Sequence, residues 1–214
     1  MADEIGLFEA IYHMRAMRRL KPDPVPDQLI RRIIDAGLHA PSGGDVQNWR
    51  FIVVKDLEIK QRIQMVYKKA FDVVITRYRS NPPPPGKTEA QKRRMLKAVE
   101  YLTNHFHEVP VMIVCCLLND SAKGMGLAKM SGASIYPAAQ NMLLAARALG
   151  LGSVLTTRHL LYESDIKEAL GLPENAETFA ILPIGWPIGK FGPLTREPVE
   201  RVTFFNKWGY PLPS

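Results

Sequence analysis

Arg15 and Arg18 stand three residues apart in "MRAMRR" (14–19), and Arg196 follows much later in "TREP". Guanidinium groups grip phosphate through paired N–H donors, and each charged hydrogen bond contributes about 1.5–3 kcal/mol before desolvation. Taken singly, these arginines also read as a solvated basic face. Between them, "APSGGDVQNW" (40–49) offers backbone amides at small residues, the Ser42 hydroxyl, the Asp45 carboxylate and two carboxamides, all beside Trp49. It is either a plain polar loop or a cradle. What unites the three stretches is that each suits a planar, anionic ligand.

Other chemistry is missing. There is no GxSxG, no HExxH and no cysteine–histidine signature. His105 and His107 lie two apart, too close for one helical face, and no third ligand accompanies them, so no metal site is expected. Neither GxGxxG nor a Walker sequence occurs; "KGMGLAKMSG" (123–132) is glycine-rich without the spacing. A protein that reacts through its own side chains should carry more. A bound cofactor supplies the reactive atoms instead.

The elements that must position these groups alternate between helix and strand. Leu7, Phe8, Ile11 and Met14 give a first amphipathic helix of about three turns, fraying before the prolines of "KPDPVPD". Pro26 and Asp27 open a second helix with Leu29, Ile30, Ile33, Ile34 and Leu38 on its stripe. Trp49 to Val54 reads as a strand, and Ile59, Ile63, Val66 and Ala70 mark a third helix. The stiff "SNPPPPGK" (80–87) leads to a helix carrying Met95, Val99, Leu102 and Phe106. Residues 67–108 form an excursion from the core, whose Tyr67, Phe71, Tyr101 and Phe106 either roof a substrate channel or pack at a dimer rim. Val111 to Leu118 is apolar throughout, the pattern of a strand covered on both faces. "SIYPAAQNMLLAARALG" is a long helix with Pro137 in its first turn and Gly150 at its end. "GSVLTT" is a short strand, "SDIKEALG" a short helix capped by Ser164, and "TFAILPIG" a last core strand. Arg201–Phe205 is a candidate strand in the tail. The whole, residues 1–214, is one domain with an α+β fold, a three-layer α-β-α sandwich rather than a regular doubly wound sheet. The C-terminal arm, about 190–214, carries Phe204, Phe205, Trp208 and Tyr210 and needs a surface to pack on, most economically a partner subunit.

With 46% apolar and 23% charged residues the chain is globular, and no apolar run approaches a membrane span. Cys115 and Cys116 are adjacent, face opposite ways in a strand, and read as buried thiols of a cytoplasmic protein. The formal charge of +7 is spread widely. No basic tract interleaved with aromatics points to nucleic acid, although "KRRMLK" would be the place for it.

In order and spacing, "APSGGxxQxW", "AAQNMLLAARALGLGS" and "LGLP" followed by "AILPIGWP" make nearly the whole chain resemble the nitroreductase family of flavin-dependent oxidoreductases. The resemblance implies an obligate homodimer with two FMN molecules at the interface and a C-terminal arm wrapped on the partner. It implies that Met14, Arg15, Ala16 and Arg18 hold the phosphate and ribityl chain, with Arg196 arriving at the same phosphate. Pro41, Ser42, Gly43, Asp45 and Gln47 would reach the flavin of the other subunit. Thr156, Thr157 and Arg158 would run past the ring edge with a backbone N–H toward N5, and Arg158 would add positive charge. No side chain is assigned as a catalytic acid or base.

The resemblance further implies two-electron transfer from NADH or NADPH to nitroaromatic, quinone or similar electron-poor acceptors by a ping-pong mechanism. Ene-reductases, reductive dehalogenases and a flavin-consuming benzimidazole synthase share the cradle, and a non-catalytic FMN-binding protein is a further alternative. Two departures from the family pattern matter. Met14-Arg15-Ala16 replaces the usual Arg-Arg-Ser, and Asp45 replaces the usual Asn, so a donor becomes an acceptor.

Overall fold

Val111–Leu118 is apolar at every position because both of its faces are covered. The structure, a computed structural model, describes residues 5–118, 127–211 and 213, and between 127 and 131 it describes the backbone alone. The first four residues and the opening half of the glycine-rich stretch 123–132 lie outside the described residues.

Four strands, β1 (Trp49–Val54), β2 (Val111–Leu118), β3 (Gly152–Ser153) and β4 (Ala176–Gly185), form a sheet in the order β1-β2-β4-β3. Every neighbouring pair is antiparallel. One face, with Ile113, Cys115, Leu117, Leu182 and Ile184, packs under α2 (Asp27–Leu38) and α5 (Leu127–Ala148). The other, with Met112, Val114, Cys116 and Ile181, meets Ile63, Val66 and Tyr67 of α3 (Leu57–Ser80) and Ile166 of α6 (Glu163–Leu170). These two cores make three layers. The adjacent cysteines fall one in each core, as strand alternation requires. Burial pushes the Cys116 thiol up to about 12, with Glu163 adding to the effect, and raises Cys115 as well. Both are unreactive at neutral pH.

Local chemistry sets the helix ends. The Asp56 carboxylate accepts the Ile59 N–H at 2.9 Å and starts α3. α4 (Glu89–Asn104) opens with a reciprocal pair. Thr88 Oγ1 accepts from the Gln91 amide at 3.2 Å, and Gln91 Oε1 accepts from the Thr88 amide at 2.9 Å. Gly150, at φ +77°, ends α5 and lets the Leu151 N–H turn back to the Ala146 carbonyl at 2.8 Å. Gly37 fixes the approach of α2 to α5. A Cβ there would come 2.9 Å from Met142 Cγ and 3.3 Å from the Ala138 carbonyl oxygen.

Several expectations change. α1 (Leu7–His13) has two turns, not three, and the chain is extended from Met14. α5 begins at Leu127, so Pro137 lies in its interior and not its first turn. α6 begins at Glu163 without a side-chain cap, and Ser164 instead bonds its neighbour Asp165. Glu163 takes the stronger partners, accepting from the Thr178 amide and hydroxyl at 2.6 and 2.9 Å. Arg201–Phe205 is not a strand. Its first two residues end a short helix, α7 (Val199–Val202), and only Phe204 bridges, to Pro211. The excursion is a helical hairpin. The first half of α3 serves the sheet, whereas Phe71 and Ile75 pack with Val99 of α4 in a small separate cluster.

Candidate functional site

The extended segment after α1 is held edge-on to β3 and β4. The Met17 amide donates to the Ser153 carbonyl at 2.9 Å, the Lys21 amide to Trp186 at 2.8 Å, and the Ile188 amide to Arg19 at 2.9 Å. Met17 and Leu20 turn into the core, which leaves Arg15 and Ala16 exposed and Arg18 half-buried. Beneath them lies a cavity of about 730 Å³. Its floor is Ser153, Val154 and Leu155 with Leu143 of α5. Pro193 to Arg196 close one end, where the Leu194 amide donates to the Tyr12 carbonyl at 3.3 Å. The remaining wall is α4 and its approach: Pro84, Lys87, Gln91, Lys92, Arg94, Met95 and Ala98.

Met14, Arg15, Ala16, Arg18 and Arg196, drawn from opposite ends of the chain, thus line one cavity. The charged residues of its wall are Arg15, Arg18, Lys87, Lys92, Arg94 and Arg196, with no carboxylate among them. The Lys92 ammonium is already engaged, donating to the backbone carbonyls of Arg79 and Asn81. Burial lowers the Arg18 pKa; Tyr67 opposes that shift and Arg158 reinforces it. A phosphate placed here would meet donors and positive charge without a competing anion, so the residues fit a phosphorylated cofactor.

The 40–48 loop lies elsewhere. Pro41, Ser42, Gly43, Asp45 and Gln47 line no part of this cavity. Their polar groups shape the loop itself. Ser42 Oγ accepts the Gln47 amide at 2.9 Å, Asp45 Oδ1 accepts from Gln47 Nε2 at 2.6 Å, and the Gly43 amide donates to Ser134 Oγ at 3.1 Å. Gly44, Asp45 and Gln47 all have positive φ, at 60, 55 and 52°. Two non-glycine residues in that region cost of order 1–3 kcal/mol each, a strain that concentrates at ligand clamps. Every one of these loop residues except the half-buried Ser42 is exposed.

Thr156, Thr157 and Arg158 leave the floor at its far edge. The Thr156 amide cannot be the free donor toward a ring, because it donates to the Ile181 carbonyl at 3.0 Å and its own carbonyl accepts from Ile181 at 2.9 Å. Thr157 is exposed, and its carbonyl accepts the Leu160 amide. Arg158 sits 5.4 and 5.2 Å from the ring centroids of Tyr67 and Phe71, outside the cavity wall. The four aromatics of 67–108, read as either a channel roof or dimer-rim packing, do not line this cavity. Tyr67, Phe71 and Phe106 are buried and Tyr101 stacks on His105, whereas α4 lines the cavity with Gln91, Lys92, Arg94, Met95 and Ala98. Of these wall residues, the helical stripe of Met95, Val99, Leu102 and Phe106 marks only Met95 in the sequence. His159 went unnoticed. It is fully buried, and neither ring nitrogen has a hydrogen-bond partner. Burial lowers its pKa to about 4. Among the described residues no cluster of His, Cys, Asp or Glu could hold a metal ion, and no helix is long and apolar enough to cross a membrane.

Comparison with known proteins gives the class. Residues 11–186 match the Nitroreductase family, and the chain belongs to that family. A protein of Methanothermobacter thermautotrophicus named as an NADH dehydrogenase/NAD(P)H nitroreductase is 31% identical over 211 residues, covering 96% of this chain and 89% of that one. The iodotyrosine deiodinase of Daphnia pulex is 30% identical over 193 residues, covering 87% of this chain and 62% of its own. A crystal structure of an iodotyrosine deiodinase with FMN and 3-iodo-L-tyrosine shares the fold, with a TM-score of 0.74 at 21% identity, covering 95% of this chain and all of that one.

Proposed function

We propose that this chain is an FMN-dependent oxidoreductase that moves two electrons from NADH or NADPH to nitroaromatic, quinone or similar electron-poor acceptors by a ping-pong mechanism. One observation carries the reading: Arg15, Arg18 and Arg196 converge on a single carboxylate-free cavity in a chain of the nitroreductase family. The name of the archaeal relative supports the nicotinamide donor.

FMN, when bound, supplies the hydride-accepting ring and the two-electron chemistry. Arg15, Arg18 and Arg196 hold its phosphate, and Arg18 does so from a half-buried position where the attraction is less screened. Ser153, Val154 and Leu155 orient the rest against a floor fixed by β3. The α4 wall excludes bulk water from one side. Protons come from solvent, and no side chain is required as a general acid.

The working unit in this reading is a homodimer. Val199, Val202, Phe204, Phe205, Trp208 and Tyr210 are exposed on the chain taken alone, Trp208 by 88%. Such a run of apolar side chains is satisfied by a partner surface. The 40–48 loop, preformed but remote from its own chain's cavity, then reaches the cofactor of the other subunit.

The test is spectroscopic. Purified protein should be yellow, with flavin absorption that bleaches on adding NADH or NADPH and returns with a nitrofuran or quinone. Protein that takes up no FMN, or whose flavin stays oxidised under excess nucleotide, ends the reading. The deiodinase relatives favour reductive dehalogenation as the second reading. Reduced protein that is reoxidised by a halotyrosine but by no nitroaromatic would establish it.

A further inference from the structure

The cavity holds more positive charge than one cofactor phosphate uses. We infer that the ligand which exchanges at this cavity carries an anionic group of its own, a phosphate or carboxylate, and that Arg94 receives it with help from Lys87. This rests on the cofactor reading above. A phosphate monoester carries about −1.5 to −2 at neutral pH, and Arg15, Arg18 and Arg196 already face it with three guanidinium groups. Lys87 and Arg94 add two more cations from α4 and its approach, and neither side chain has an ion pair or hydrogen bond among the described residues.

Their placement is selective. In "KRRMLK", Lys92 is consumed by the end of α3, and Arg93 and Lys97 stay off the cavity wall. Arg94 is on it, with Met95 and Ala98 beside it as apolar surface for a flat ring. Glu197, whose carboxylate lies against Gly86, is bonded to Arg201 at 3.1 Å and lines no part of the wall. Gathering like charges around one hollow costs self-repulsion, which a bound anion offsets. A cation flanked by apolar side chains matches a planar aromatic bearing an acidic substituent, or the phosphates of a dinucleotide.

The experiment uses FMN-loaded protein and two matched pairs of probes, para-nitrobenzoate against para-nitrobenzamide and NADP+ against NAD+. Binding is read from the perturbed flavin absorption at low ionic strength. In the wild type, the more anionic member of at least one pair binds about ten-fold tighter or better. In the double variant Lys87→Ala/Arg94→Ala that ratio falls toward one. A fall confined to the nitrobenzoate pair assigns the anion to the electron acceptor, and one confined to the nucleotides assigns it to the donor. FMN affinity, measured by fluorescence on titrating apoprotein, serves as the independent readout and changes by less than about three-fold. A wild-type ratio near one in both pairs overturns the inference. So does a double variant that loses FMN affinity and keeps the ratio, since the two cations would then belong to the cofactor. Failure to take up FMN at all overturns the cofactor reading and this inference together.

Discussion

The Tyr67 hydroxyl lies 2.9 Å from Thr156 Oγ1, fastening a buried side chain of α3 to the segment that follows the cavity floor. Arg158 Nη1 reaches the same hydroxyl at 3.4 Å. Tyr67 also stacks on Phe106, with ring centroids 4.4 Å apart, so its ring stays put when the hydroxyl is removed. Tyr67→Phe therefore lowers stability by about 1–2 kcal/mol in urea unfolding, the cost of a buried polar partner left unpaired. Adding Thr156→Val to it costs less than the sum of the single changes, because both remove one bond. Strict additivity would show that the two groups do not interact.

Arg18→Gln and Arg196→Gln each weaken FMN binding by about ten-fold or more, read by fluorescence titration of apoprotein. Added salt weakens binding less in either variant than in the wild type, since fewer charges remain to be screened. Arg93→Gln, off the wall, leaves the affinity unchanged. If all three behave alike, phosphate recognition lies elsewhere.

Acid should act on the fold through His159. Its folded pKa, about 4, lies below the usual histidine value, so the unfolded chain binds the proton first. Stability from this residue is complete above about pH 6.5 and is lost as pH falls toward 4. The whole loss is of order 3 kcal/mol. His159→Leu should flatten that limb of a Tm-against-pH curve while moving the Tm at neutral pH little. A variant with the same acid limb as the wild type would place the titrating group elsewhere.

The exposed arm predicts self-association. Sedimentation of the wild type should give about twice the 24.1 kDa chain mass. Trp208→Ala raises the dissociation constant of the dimer by about ten-fold or more, the usual effect of truncating a large aromatic anchor. A wild-type monomer at micromolar concentration would remove the partner surface from the functional reading.

Much of the architecture was legible because periodicity records burial. The apolar run of β2, the stripe of α2 and the glycine after α5 each state a local requirement that tertiary packing did not override. Pro137 misled for the opposite reason. Proline marks a first turn by preference, yet this helix runs ten residues ahead of it, and nothing in the types of Leu127 to Gly132 forbids that. Ser164 was a plausible cap, but Glu163 found two donors on β4, a long-range contact that local spacing does not encode. At the site, the arginines were readable from their chemistry. The α4 wall was not, because which face of a helical hairpin turns inward depends on the Lys92 contact with the end of α3. Which amide of Thr156 to Arg158 is free to face a ring was likewise not encoded locally, since the Thr156 amide is taken by its pairing with Ile181.

That Lys92 clasp has an evolutionary consequence. It ties α4 to the stretch just after α3, and the prolines at 82–85 set the angle between the two helices outside the sheet. Insertions or losses in that connector reshape one side of the chamber while leaving the arginines and the β3 floor where they are. Descendants of such a chain can trade one clientele for another without rebuilding the electron-carrying half.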